Sequence, residues 1–122
     1  MKRSLLIIFI AFIIVFSSCR KTTDPQCPEW TMYIPNSFEP NGDGLNDSFI
    51  PKGTGITSFE MWIFDNSGKQ IYYCNNINNP WNGSVQGGTG AICPEGYYLY
   101  QIKATDSCGY SHTYTGTLML EK

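Results

Sequence analysis

Among 122 residues there is a single imidazole, His112, and it lies in an alternating run with Ser111, Thr113 and Tyr114 that reads as a surface strand. No nucleophile stands at a recognisable spacing from a base, no glycine-rich phosphate loop precedes a helix, and the acidic residues are scattered. The chain is therefore read as non-enzymatic. A structural zinc site is equally poorly served, because there is no C-x-x-C pair and no second histidine. Basic charge is scarce too. Once Lys2 and Arg3 are removed with a leader, six Lys or Arg face ten Asp or Glu, and the net charge moves from −2 to −4. That balance excludes a nucleic-acid partner. Beyond the leader no segment keeps a helical period, which excludes a helical domain.

What the chain does have begins at its N-terminus. Met1, Lys2 and Arg3 form a basic start, Leu5 to Phe16 an unbroken apolar run, and Ser17 and Ser18 a small-residue ending before Cys19. This is the layout of an export signal over residues 1–18. A run of twelve falls short of the roughly 20 residues a membrane-spanning helix requires. Cys19, directly after small residues, is similar to the acylated cysteine of a bacterial lipobox, with Phe16 in place of the usual Leu. The expected product is anchored in a membrane at Cys19, since two or more acyl chains give stable attachment where one does not. Residues 19–28 would be a tether of about 30 Å at full extension.

Four further cysteines, Cys27, Cys74, Cys93 and Cys108, form an even set in an exported chain, which favours two disulfides among three possible pairings. The spacing favours Cys74–Cys93 across the Asn- and Gly-rich stretch 75–92, a closure that would contribute about 3 kcal/mol. Cys27–Cys108 is then the second link. Turn formers recur at short intervals, with β-branched and aromatic residues between them, and predict an all-β domain over 29–122. Strands are expected at 30–35, 48–51, 56–65, 69–74, 97–106 and 111–121, packed as a sandwich. Alternation places Tyr98, Tyr100, Ile102 and Ala104 inward with Tyr114, Gly116, Leu118 and Leu120, and turns Thr113, Thr115 and Thr117 outward. Residues 65–68 read as a hairpin turn with Gly68 at positive φ. Trp62, opposite in phase to Phe59, Met61 and Ile63, implies a strand buried on both faces.

The densest run of turn formers spans 34–49, IPNSFEPNGDGLNDSF. Pro35, Asn36, Phe38, Pro40, Asn41, Gly42, Asp43, Gly44, Asn46 and Asp47 resemble the opening signature PNxFTPNGDGxND of the gliding motility-associated C-terminal domain family, the type B sorting domain of type IX secretion in Bacteroidetes. Glu39 replaces the usual Thr. The resemblance continues through 58–65, Trp81-Asn82-Gly83, 94–100 with Gly96 and Tyr98, and 114–118 with Gly116, and covers about residues 28 to 122. It implies an immunoglobulin-like antiparallel β-sandwich and a role in recognition by outer-membrane secretion or gliding proteins. Nearly the whole chain after the leader would be one such domain, whereas the family usually ends a larger cargo protein.

Two surface features invite ligands. Asn41, Asp43, Asn46 and Asp47 put two carboxylates and two amides within seven residues, a donor set suited to calcium. Leu45 interrupts the set, and turn chemistry accounts for the same residues. The aromatic residues Trp30, Trp81, Tyr72, Tyr73, Tyr97 and Tyr110 could form a platform for sugars or proteins, although core packing is their commoner use. The expectation is a lipid-anchored envelope protein, at the outer membrane or cell surface, that works by protein recognition. A surface adhesin or glycan-binding module is the alternative.

Overall fold

The computed structural model describes residues 28–87 and 89–122; Cys19, the tether and Cys27 lie outside the described residues. Seven strands follow in chain order: β1 (Thr31–Tyr33), β2 (Ser37–Phe38), β3 (Lys52–Thr54), β4 (Ile56–Phe64), β5 (Gln70–Cys74), β6 (Gly96–Asp106) and β7 (Ser111–Leu120). A single 3-10 turn at Val85–Gly87 is the one helical element among the described residues. The fold is all-β.

One sheet has the order β2-β7-β6-β4-β5, and β1 pairs with β3 in a small second sheet. β7 lies antiparallel to β6 without a break from Gly96↔Leu120 to Thr105↔Ser111. The sandwich is mixed rather than purely antiparallel, because β2 joins the large sheet parallel to β7. The first extended segment thus leaves β3 after Tyr33, passes Pro35 and crosses to the other sheet. Proline suits the crossing, since it gives up a ladder N–H where neither sheet requires one.

The core forms on the alternating faces the sequence defines. Phe59, Met61 and Ile63 of β4 oppose Ala104, Ile102 and Tyr100 of β6, and Leu118 and Leu120 of β7 complete the floor. Phe38, Phe49 and Trp81 fill the space above it, and Met32 of the small sheet, Ile34 just after β1 and Ile56 at the start of β4 pack against it. Gly116 lies opposite Tyr100, and a Cβ there would sit 2.5 Å from the Tyr100 hydroxyl. The tyrosine ring covers the space a side chain would have used.

Two expected features differ. Residues 48–51 do not form a strand; only Phe49 bridges to Trp81, and β3 begins immediately afterwards. Trp62 is half-buried, not enclosed. Its face of the sheet opens to solvent, where Tyr73 tilts against it at 5.4 Å and the Lys103 ammonium sits 5.5 Å over its ring.

The Cys74–Cys93 disulfide is not formed; both are free thiols. Cys74 sits level with Met61 and hence Ile102. Cys93 is held by its N–H to Gly83 O at 2.7 Å, and Gly83 abuts Leu120, which is level with Gly96. From the level of Ile102 to that of Gly96 is roughly 20 Å of strand, well beyond the ~7 Å Cα separation a disulfide can bridge. Burial pushes both thiols up in pKa, which lowers their thiolate fraction and their reactivity. Cys108 is disulfide-bonded; Cys27, the residue expected to pair with it, lies outside the described residues.

Candidate functional site

The motif run 34–49 builds a rigid surface loop on a buried foot. Asn36 O accepts from Met119 N–H at 2.8 Å, and Phe38 O accepts from Glu121 N–H at 2.9 Å. These bonds lay β2 on the end of β7. Phe38 then points inward, with its ring 5.3 Å from that of Trp81. Beyond it, Glu39 N–H donates to Asn46 O at 2.8 Å and closes the loop.

Inside that loop the acidic and amide side chains have backbone partners. Asp47 accepts from Gly42 N–H through Oδ1 and from Gly44 N–H through Oδ2, both at 2.7 Å. Asp43 Oδ1 accepts from Leu45 N–H at 2.8 Å, and Asn41 Oδ1 accepts from Asp43 N–H at 2.9 Å. Gly42, Gly44 and Asn46 adopt φ of 77°, 86° and 52°, a region that favours glycine and tolerates asparagine. Turn chemistry accounts for the four residues considered as calcium ligands: Asn41, Asp43 and Asp47 accept N–H bonds of their own loop, and Asn46 supplies a left-handed backbone. Leu45 is left at the apex, 72% exposed.

The remaining motif residues hold up the foot. Trp81 is fully buried, exchanges two backbone bonds with Phe49 at 2.9 and 3.0 Å, and donates Nε1–H to Ser84 O at 2.8 Å. Asn82 Oδ1 accepts from Ser84 N–H and Oγ–H. Gly83, at φ 87°, turns the chain where a Cβ would press on Ile92 and Leu120. Tyr98 packs edge-on to Trp81 at 5.2 Å, and its hydroxyl donates to Pro94 O at 2.6 Å. Gly96 starts β6 at φ 146°. Phe38, Trp81 and Tyr98 are thus one aromatic pillar under the loop.

Two shallow hollows flank β2. One is lined by Glu39, Asp43, Leu45 and Glu121, the other by Asn36, Tyr97, Thr117 and Met119. Tyr97 is 62% exposed, and Leu99 follows it on the same outer face. An apolar patch rimmed by acid therefore lies beside the motif loop. The aromatics named from sequence do not gather there. Trp81 and Tyr72 are buried, Tyr73 bonds Glu60 at 3.0 Å, and Tyr97 and Tyr110 lie at opposite ends of the β6–β7 hairpin.

His112 has a more definite role than that of a surface strand residue. Its Nε2 is 2.8 Å from Asp106 Oδ2, and its ring stacks on Trp30 at 3.8 Å. Asp106 Oδ1 accepts from Cys108 and Tyr110 N–H groups, while Gly109, at φ 83°, returns the chain. The β4–β5 turn is built alike, with Asp65 Oδ1 accepting from Ser67 and Lys69 N–H groups and Gly68 at φ 83°. The same D-x-x-G spacing marks both turns in the sequence, at 65–68 and at 106–109.

Hydrogen bonds hold both carboxyls below the usual carboxylate range, with His112 the main cause at Asp106 and the Ser67 hydroxyl the main cause at Asp65. A carboxyl depressed in the folded state adds stability above its unfolded pKa of about 3.9 and loses it as pH falls towards the folded value. The melting temperature should therefore hold at neutral pH and fall below about pH 4. In the D65N/D106N variant that acid decline should flatten, as thermal melts across the acid range would show.

Fold and loop define a β-sandwich that displays a rigid turn beside an apolar surface. The model of the CHU_C type IX secretion signal domain family matches residues 32–120, and the chain belongs to that family. No curated protein matches it.

Proposed function

We propose that the chain is a non-enzymatic, lipid-anchored envelope protein whose sandwich is read by type IX secretion or gliding components at the outer membrane. Family membership itself points to a secretion-related role and to the cell envelope or surface. The observation that carries the finer reading is that the motif residues spend their chemistry on the shape of one loop and its aromatic pillar. Leu45 and Tyr97 are left exposed beside it. Glu39, Asp43 and Glu121 border the patch and suit a partner with an apolar centre and a basic rim. Cys19 supplies the anchor, and a Cys27–Cys108 link would fasten the tether to the β6–β7 turn.

The test is a fusion. Residues 27–122, appended to a reporter that has its own export signal, are expected to carry it outside the cell only when type IX secretion is intact. Lysines at Leu45 and Tyr97 should reduce that export strongly while leaving the melting temperature within about 1 °C, since exposed substitutions change stability little. Export that is independent of the type IX system, or unaffected by both substitutions, would refute the proposal.

A further inference from the structure

The two edges of the large sheet are treated differently. At the β5 end of the sheet the chain folds back over the Tyr72 side chain. The Tyr72 hydroxyl donates to Asn79 O and Pro80 O, each at 3.2 Å, and Gly87 lies against the Tyr72 ring. At the other edge β2 pairs only with Met119 and Leu120 of β7. Because Met119 and Glu121 direct their N–H groups to β2, the same alternation turns the N–H and C=O of Ser111, Thr113, Thr115 and Thr117 away from β6. Among the described residues nothing pairs with them.

Exposed edges are ordinarily guarded by charge, proline or a bulge. Residues 111–118 contain no Lys, Arg, Asp, Glu or Pro, and their register with β6 has no irregularity. The free length is also self-complementary. If two β7 strands meet antiparallel about a two-fold axis at Tyr114, Ser111 of each lies opposite Thr117 of the other, and Thr113 opposite Thr115. Every free edge donor then meets an acceptor, and hydroxyl side chains face one another across the outer surface. This register stops short of Met119, so β2 stays in place. The chain is acidic overall, but residues 111–118 carry no carboxylate, and two copies can approach here without acidic side chains of this strand in contact.

We infer that the β7 edge is an interface for a second copy of this chain, joining two five-stranded sheets into one continuous sheet across a two-fold axis. The inference is independent of the sorting role. The test uses the full chain, exported by its own cells and extracted in detergent, in sedimentation and hydrogen-exchange measurements. Wild type is expected at twice the monomer mass, with slow exchange at the Thr113, Thr115 and Thr117 amides. T113K/T115K places lysines directly opposite lysines and should lose both the dimer and that protection, while the β6–β7 ladder amides at Tyr114 and Leu118 stay protected and report an intact fold. T113K/T115E places opposite charges across the same axis and should restore the dimer. A monomeric wild type, a dimer indifferent to T113K/T115K, or edge amides protected in a monomer by some other protein would overturn the inference.

Discussion

Trp81→Ala is expected to remove a large share of the domain's stability. The side chain is fully buried, packs between Phe38 and Tyr98, and makes an Nε1–H bond to Ser84 O. Removing a buried tryptophan typically costs about 3–5 kcal/mol, against a total of about 5–15 kcal/mol for a small domain. For a domain of this size, that corresponds to a fall in melting temperature of at least about 12 °C. Calorimetry of the variant beside Trp62→Ala supplies the contrast. Trp62 is only half-buried on the open face, and its loss should cost no more than about 2 kcal/mol. Equal losses in the two variants would show that the pillar is not where the stability resides.

Phe38→Ala should cost a comparable amount, about 3–5 kcal/mol, but it should fail in a different way. Phe38 is the only core anchor of a two-residue strand, and the motif loop is mounted on that strand. Its removal should release β2 from β7 before the rest of the sheet opens, as local unfolding does where few buried contacts hold an element. Hydrogen exchange at Met119 and Glu121, which donate to Asn36 and Phe38, should accelerate ahead of the β6–β7 ladder. Because Phe38 and Trp81 touch, their effects should not add; a double-mutant cycle should show coupling of about 0.5–3 kcal/mol. Full additivity, or uniform acceleration across the sheet, would contradict the pillar.

The long strands were legible because one face of each is buried and the other wet, so alternation in β6 and β7 is written directly into residue order. The 65–68 turn was legible for a related reason: Asp and Gly at that spacing act within their own four residues. β2 and β3 were not. β2 is two residues inside a run dominated by turn formers, and β3 is Lys-Gly-Thr, exposed throughout, with no alternation to read. The motif loop was recognised as a whole, but the partners of Asp43 and Asp47 depend on how the backbone turns. The Cys74–Cys93 pairing failed because sequence separation measures loop length and not distance along a folded sheet. His112 was misjudged because both partners that define it, Trp30 and Asp106, reach it from other segments.

Residue order alone was enough for the all-β class, the facing of the main strands and the resemblance to a sorting domain. Each of these depends on local periodicity or on a contiguous motif. Which cysteines remain thiols, which face of β4 is open, and which sheet edge stands unguarded were settled by packing. Those outcomes depend on distances between segments far apart in the chain, and only the folded sheet sets such distances.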